Sequence, residues 1–165
     1  MLFMVSCDHN KSSVPPISVQ LNASLQDVEL DSSTTLTWTS SNASQCTASG
    51  EWSGAKSLSG SEEVVVEKVG ANFYNLNCNV GDSRPQFASA QVTVNATNYL
   101  RGTCVDGYIR GSTAFLDTNN NFVHDDLEPD SVTDNDGAFK YVNSGGLAVC
   151  SGGFDLDTGN SLEDF

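Results

Sequence analysis

The chain has 165 residues, 21 of them acidic and 7 of them Lys or Arg, which gives a formal net charge of −14 at pH 7. This balance argues against a nucleic-acid partner, because phosphate recognition depends on clustered Lys and Arg side chains. The length allows one large domain or two small ones, and an apolar content of 38% suffices for packed cores of modest size. The pattern along the chain favours two small domains.

Residues 1–16 are predicted to be a signal-like segment followed by a tether. The segment Met1–Cys7 resembles the end of a bacterial lipoprotein signal peptide, in which an apolar run precedes a cysteine that is lipidated. It differs from that pattern because Met4 stands where leucine is usual and no positively charged residue precedes the run. The resemblance implies lipidation of Cys7 and contact with a membrane only through that anchor. The alternative is an apolar N-terminus that carries a spare thiol.

Residues 17–97 are predicted to form an antiparallel β-sandwich. Short runs of strand-forming residues are separated by Ser, Asn and Gly, and most of the runs alternate apolar and polar side chains. Such spacing, without an amphipathic helix pattern, is typical of a sandwich. The predicted strands are Ile17–Leu21, Leu36–Trp38, Glu63–Glu67, Tyr74–Val80 and Ala90–Val94.

The five cysteines are predicted to include two disulfide bridges. None of them forms the close C-x-x-C pair of zinc and thiol-redox sites. The simplest pairing keeps each bridge within one half of the chain, so that Cys46 joins Cys78, Cys104 joins Cys150, and Cys7 is left unpaired. Each bridge would contribute about 3 to 4 kcal/mol in the chain-entropy model.

The first predicted domain resembles the bacterial immunoglobulin-like modules of secreted and surface proteins. The residues that carry the resemblance are Leu36–Gly50, Trp52–Gly54, Gly60-Ser61 and Tyr74-x-Leu76-x-Cys78. The resemblance implies that the bridge between Cys46 and Cys78 joins the two layers of the sandwich. It also implies a core that includes Leu36, Trp38, Tyr74 and Leu76. The order differs from antibody domains, in which the tryptophan lies between the two cysteines.

Trp52 is the aromatic residue of this domain that we expect to be exposed, because it lies among Gly50, Glu51 and Ser53. An exposed ring can stack on a sugar, but a single ring is a poor platform. A carbohydrate-binding accessory module is therefore the less favoured alternative for the function.

Residues 117–128 have the spacing of a calcium-binding loop. Ca²⁺ takes about six to eight oxygen ligands, and acidic loops of this length supply them at positions one, three, five, seven, nine and twelve. The predicted ligands are Asp117, Asn119, Asn121, the carbonyl of Val123, Asp125 and Glu128. Ca²⁺ is therefore the predicted cofactor. The alternative is an Asn- and Asp-rich surface turn that holds no metal.

Two features distinguish this loop from an EF-hand. Pro129 opposes a helix after Glu128, so the loop is expected between β-strands, where a metal would have a structural role. Position six is Phe122, where EF-hand loops have glycine. Because a bulky residue avoids positive φ, the sharp turn is expected at Asn120 or Asn121 instead.

Residues 98–165 are predicted to form a second β-sandwich, which follows a short linker at Asn95–Asn98. The run that leads into the loop and continues to Tyr141 resembles the calcium-binding B-type repeats of bacterial surface adhesins. This resemblance implies the same six ligands and a role as a spacer.

The segment 131–141 predicts a strand, a turn and a second strand. Asn135-Asp136-Gly137 is a hairpin signal, since such residues accept the positive φ of tight turns. We interpret Asp134 and Asp136 as turn residues, with an additional metal-binding oxygen from one of them as the alternative.

The sequence predicts a protein that is not an enzyme. It contains no P-loop, nucleophile elbow or HExxH motif, and its two histidines, His9 and His124, are isolated from each other. His124 occupies loop position eight, where related loops place an inward-packing side chain, so packing is favoured over catalysis.

The expected function is that of an extracellular or cell-surface structural or adhesion module, rigidified by Ca²⁺ and disulfides and binding a protein or a surface. Lipidation of Cys7 would make it an outer-membrane lipoprotein. The alternative is a subunit of an extracellular filament. Copies would then self-associate by exchange of a strand or segment, because an open sheet edge near the tail Cys150–Phe165 would accept a strand from another copy.

Overall fold

A computed structural model describes residues 15–81, 86–105 and 109–162. The predicted lipidation site Cys7 and most of the predicted tether lie outside these residues. The described residues form strands and turns without a helix, and their sheets pack as sandwiches, so the prediction of an all-β sandwich fold is confirmed. Accordingly, none of them belongs to a helix that could span a membrane.

Sixteen strands lie within the described residues, and they are short, as is usual for a sandwich. The strands up to the middle of the chain are β1 Ser18–Ala23, β2 Asp27–Glu29, β3 Ser33–Ser41, β4 Gln45–Gly50, β5 Gly54–Lys56, β6 Ser59–Val65, β7 Gly70–Asn79 and β8 Phe87–Thr97. Those that follow are β9 Tyr99–Thr103, β10 Ile109–Arg110, β11 Thr113–Asp117, β12 Asp130–Val132, β13 Ala138–Val142, β14 Leu147–Ser151, β15 Gly153–Asp155 and β16 Ser161–Leu162.

The chain divides into two compact units. Of the described residues, the first unit contains 15–26, Ser33–Val64 and those within Asn72–Val94, and the second contains Asp27–Ser32, Val65–Ala71 and those from Asn95 onwards. The predicted domains, residues 17–97 and 98–165, stay a prediction.

The core of the first unit lies between two sheets. One has the strand order β1-β3-β6, and the other includes β8, β7, β4 and β5 in that order. Leu36 and Trp38 are buried on β3, and Tyr74 and Leu76 are buried on β7, as predicted. Each pair is spaced by two residues, which places both side chains on the same face of the strand. Complete burial of one such side chain contributes about 1.5 to 3 kcal/mol.

The disulfide between Cys46 and Cys78 is present, but it does not join the two layers. The two residues are direct partners in the antiparallel pair of β4 and β7, and their Cα atoms are 4.1 Å apart. The expectation of a bridge between layers is therefore wrong. The register sets the two cysteines side by side within one sheet, where the close spacing of antiparallel partners allows the bond.

The expectation that Trp52 is exposed is also wrong. Its exposed fraction is 6%, and its indole N–H donates to the carbonyl oxygen of Asn75 at 3.0 Å. The ring packs edge-on against Trp38, with a centroid distance of 5.4 Å, and against Tyr74, at 6.4 Å. The polar neighbours along the chain therefore did not reveal that this side chain folds back into the core. Trp52 therefore offers no exposed ring on which a sugar could stack.

The second unit is built from smaller sheets around its own core. The strand orders are β12-β11-β14, β10-β15-β16 and β13-β9. The core residues of this unit are Cys104, Ile109, Ala114, Leu116, Phe139 and Tyr141. The predicted bridge from Cys104 to Cys150 is present and ties the residue after β9 to β14.

One further expectation about this unit is wrong, and the predicted short linker proves to be part of a strand. Asn95–Thr97 form the end of β8 and pair in parallel with Asp27–Glu29. The turn at residues 134–138 exists, but the strands on its two sides do not form a hairpin: β12 pairs with β11, and β13 pairs with β9. The turn residues therefore predicted the bend correctly, but pairing with distant segments determines the partners of the two flanking strands.

An ionic cluster around Glu29 fixes β2 within the second unit. Its carboxylate accepts hydrogen bonds from Arg101 and Lys140, whose cationic groups also lie over the ring of Tyr99. The hydrogen bond from Arg101, followed by that from Lys140, lowers the pKa of Glu29. These exposed contacts therefore favour the ionised carboxylate.

Candidate functional site

The predicted calcium loop connects two neighbouring antiparallel strands. Asp117 is the last residue of β11, and β12 begins at Asp130. The two strands pair through Phe115 and Asp130, so both ends of the loop are held by one sheet. Residues 118–129 contain no helix, which confirms the expectation that the loop lies between β-strands.

The carboxylate of Asp117 organises the first half of the loop. Its side chain is fully buried. Oδ1 accepts the backbone N–H groups of Asn119, Asn120 and Asn121 at 3.2, 2.6 and 3.2 Å, and Oδ2 accepts that of Phe122 at 2.8 Å. Burial raises the pKa of Asp117, but the four backbone hydrogen bonds together outweigh burial, so that the pKa is lowered overall. Asp117 is therefore a buried, ionised carboxylate.

Glu128 closes the other end of the loop. Its exposed fraction is 7%. Oε1 accepts hydrogen bonds from the backbone N–H of Thr118 at 2.7 Å and from its hydroxyl at 3.1 Å, and Oε2 accepts the N–H of Asp125 at 3.2 Å. Sequence reasoning missed Thr118, since it is not a ligand position in this spacing. The two ends of the loop are thus tied together through Glu128.

The side chains of positions three, five and nine converge. The amide nitrogens of Asn119 and Asn121 donate to Oδ2 of Asp125 at 2.7 and 3.0 Å. The amide oxygens of the same two residues accept the N–H groups of Asn121 and Val123. A cation at this point would require both amides to turn, because their nitrogens now face the carboxylate.

The backbone of the loop has positive φ at position six. The φ angles of Asn120 and Phe122 are both 61°. The turn at Asn120 was expected, whereas the expectation that Phe122 avoids this conformation is wrong. Its N–H is held by Asp117, and its ring is 61% exposed, so the side chain meets little obstruction. Position six therefore has the conformation that glycine provides in EF-hand loops.

The predicted ligands fit calcium in their chemistry. Three carboxylates, two side-chain amides and one carbonyl form the all-oxygen set that a hard cation requires. Within the described ranges, no group of three or more His, Cys, Asp or Glu side chains is arranged to hold a metal.

Asp134, outside the loop, is a turn residue, since its Oδ1 accepts the N–H groups of Asp136 and Ala138.

His124, at loop position eight, packs against β11. Its ring lies 5.2 Å from that of Phe115, and its Nε2 is 3.9 Å from a carboxylate oxygen of Asp130. The contact with Phe115 agrees with the prediction that this side chain has a packing role.

Comparisons with known proteins add no relative: no family model, no curated protein and no solved structure matches this chain. The resemblances to immunoglobulin-like modules and to B-type repeats therefore stay predictions.

Proposed function

We propose that this chain is a non-catalytic structural module of an extracellular or cell-surface protein, stiffened by calcium and by two disulfides. The observation that carries the proposal is the burial of two carboxylates, Asp117 and Glu128, at the first and twelfth positions of the loop. Among the described residues, no Lys, Arg or His forms an ion pair with either of them.

Buried carboxylates are stable only when other groups replace the water that they lose. Backbone N–H groups do this in part for Asp117 and Glu128. A divalent cation would supply the remaining counter-charge, and it would also relieve the repulsion between carboxylates in a chain of net charge −14. The residues that would hold it are Asp117, Asn119, Asn121, Val123, Asp125 and Glu128.

The proposed role of the ion is mechanical. The loop begins at the end of β11 and ends beside β12, so a bound cation would fix both strand ends together. Extracellular calcium modules have dissociation constants of about 0.1 to 1 mM, which matches millimolar calcium outside cells. The site would therefore be occupied permanently and would not act as a signal.

The two disulfides support the proposed extracellular compartment. Bridges such as those at Cys46–Cys78 and Cys104–Cys150 persist in oxidising surroundings and are rare in the cytosol. A lipid anchor at Cys7 would place the module at a membrane surface. The filament alternative stays a prediction beside this proposal.

Calcium titration by calorimetry tests the proposal directly. The oxidised protein, stripped with a chelator, should bind one Ca²⁺ with a dissociation constant of about 0.1 to 1 mM. Glu128→Gln should weaken binding by at least about tenfold, because it removes the charged, bidentate ligand. The matched control is Asp136→Asn, which removes the same charge from an exposed turn outside the loop. Absence of binding, or an equal loss in both variants, would overturn the proposal.

A further inference from the structure

A cleft with a volume of about 640 Å³ lies in the same unit. Arg110 lines this cleft together with Asp134 and Asn135, which belong to the turn after β12. The cleft is distinct from the calcium loop, since it contains none of the six proposed metal ligands.

Arg110 is held by an aromatic ring instead of a carboxylate. It is the direct partner of Phe154 in the pair of β10 and β15, and its guanidinium lies 5.0 Å from the ring centroid. The other described arginine, Arg101, pairs with Glu29. No acidic side chain of the described chain lies within salt-bridge distance of Arg110. Its planar fork of N–H donors is therefore available for a carboxylate that comes from outside.

Asp134 offers the opposite charge in the same cleft. Its Oδ1 accepts the N–H groups of Asp136 and Ala138, each at 2.9 Å, so the turn fixes the carboxylate. Its Oδ2 forms no hydrogen bond with the described residues. Asp134 and Arg110 form no ion pair with each other. A cationic group of a ligand can therefore meet a positioned carboxylate oxygen.

Hydrogen bonds of Thr133 join the backbone segments that line the cleft. The buried hydroxyl of Thr133 donates to the carbonyl of Ile109 at 2.7 Å and accepts the N–H of Ser112 at 2.9 Å. The N–H of Gly111 donates to the carbonyl of Thr133 at 3.1 Å. At Gly111, with φ of 68°, a Cβ would meet no atom within 4 Å, so the space beside Arg110 is open. These hydrogen bonds fix the backbone next to Arg110 and next to Asp134.

We propose that this cleft binds a free α-amino acid, with its carboxylate on Arg110 and its ammonium group on Oδ2 of Asp134. A zwitterion matches two opposite charges that line one cleft without neutralising each other. A polyanion fits poorly, because a single guanidinium would have to attract it against a net charge of −14. The inference does not depend on calcium binding.

Three small probes and amide chemical shifts test this assignment. Glycine carries both charges, N-acetylglycine lacks the ammonium group, and glycinamide lacks the carboxylate. Glycine should give saturable shifts, in about the millimolar range, at the backbone amides of Gly111, Asn135 and Gly153. Each of the other probes should bind at least about tenfold more weakly, because each leaves one charged group of the cleft without its partner.

Two variants test whether Arg110 and Asp134 bind the two charged groups of glycine. Arg110→Gln should abolish the saturable shifts, and Asp134→Asn should weaken glycine binding by about tenfold while its amide oxygen still accepts the turn N–H groups. Arg101→Gln, which removes an exposed cation elsewhere in the unit, should leave glycine binding unchanged. The proposal is overturned if glycine gives no saturable shift, if N-acetylglycine or glycinamide binds as well as glycine, or if Arg110→Gln still binds. If a variant does not fold, the comparison of the three probes on the native protein still tests the proposal.

Discussion

Removal of the bridge between Cys46 and Cys78 should produce a large and calculable loss of stability. The bridge closes a segment with a sequence separation of 32 residues. In the chain-entropy model, a loop of that length restricts the unfolded chain by about 3.7 kcal/mol at 25 °C. Both cysteines are buried, with exposed fractions of 2% and 0%, so substitution by alanine also removes packed sulfur atoms. The double variant Cys46→Ala/Cys78→Ala should therefore lose about 4 kcal/mol or more.

Urea denaturation of the native protein and the double variant measures this difference. The matched control is Cys104→Ala/Cys150→Ala, whose bridge spans 46 residues and should be worth about 4.0 kcal/mol by the same model. Because each bridge lies in its own unit, each variant should shift mainly the transition of that unit. A loss below about 1 kcal/mol for Cys46→Ala/Cys78→Ala would refute the reasoning that this bridge stabilises by restricting the unfolded chain.

Further substitutions test the core and the loops. Leu76→Ala should lower the free energy of unfolding by about 2 to 5 kcal/mol in the same urea assay, because the side chain is fully buried. In the control Leu25→Ala, the free energy of unfolding should change by no more than about 0.5 kcal/mol, because Leu25 is half-exposed. Phe122→Gly should raise the free energy of unfolding by about 0.5 to 1 kcal/mol, because glycine adopts φ of 61° without strain; a lower value would contradict this. The pKa of Asp155 is lowered from its ordinary value of 3.8, and the hydrogen bond from the hydroxyl of Thr158 is the largest cause. The ionised carboxylate therefore stabilises the fold above pH 3.8, and this stabilisation is lost as the pH falls through the pKa of the folded state. Thr158→Val should raise that pKa and reduce the loss of stability in acid, as carboxyl NMR titration would show.

The sequence predicted the parts of the fold that depend on local pattern. Alternation of apolar and polar residues located the strands that bury Leu36, Trp38, Tyr74 and Leu76, because a strand turns successive side chains to opposite faces. The cysteine spacing also led to the pairs that the structure contains.

Pairing between distant segments was not predictable in the same way. The turn at residues 134–138 has hairpin chemistry, yet its flanking strands bind different partners, because pairing is decided by which faces each strand must bury. The same limit applies to Cys46 and Cys78, whose place within one sheet depends on the register of β4 with β7. It also applies to Trp52, which is buried by contacts with residues far along the chain.

The candidate sites were also predictable only where they depend on local sequence. The spacing of carboxylates in residues 117–128 was visible in the sequence, but the hydrogen bonds by which Asp117 shapes the backbone were not. The stack of Arg110 on Phe154 joins residues that only the pairing of β10 with β15 brings together. No motif could have indicated it.

Thermal unfolding of the oxidised protein, in excess chelator and in 10 mM calcium, tests the central claim most directly. With a dissociation constant between about 0.1 and 1 mM, calcium should add about 1.4 to 2.7 kcal/mol to the free energy of unfolding and raise one transition. In Asp117→Asn, calcium should give little or no rise, although the amide still accepts backbone N–H groups. An unchanged transition in the native protein, or an equal rise in Asp117→Asn, would contradict a calcium-stiffened module.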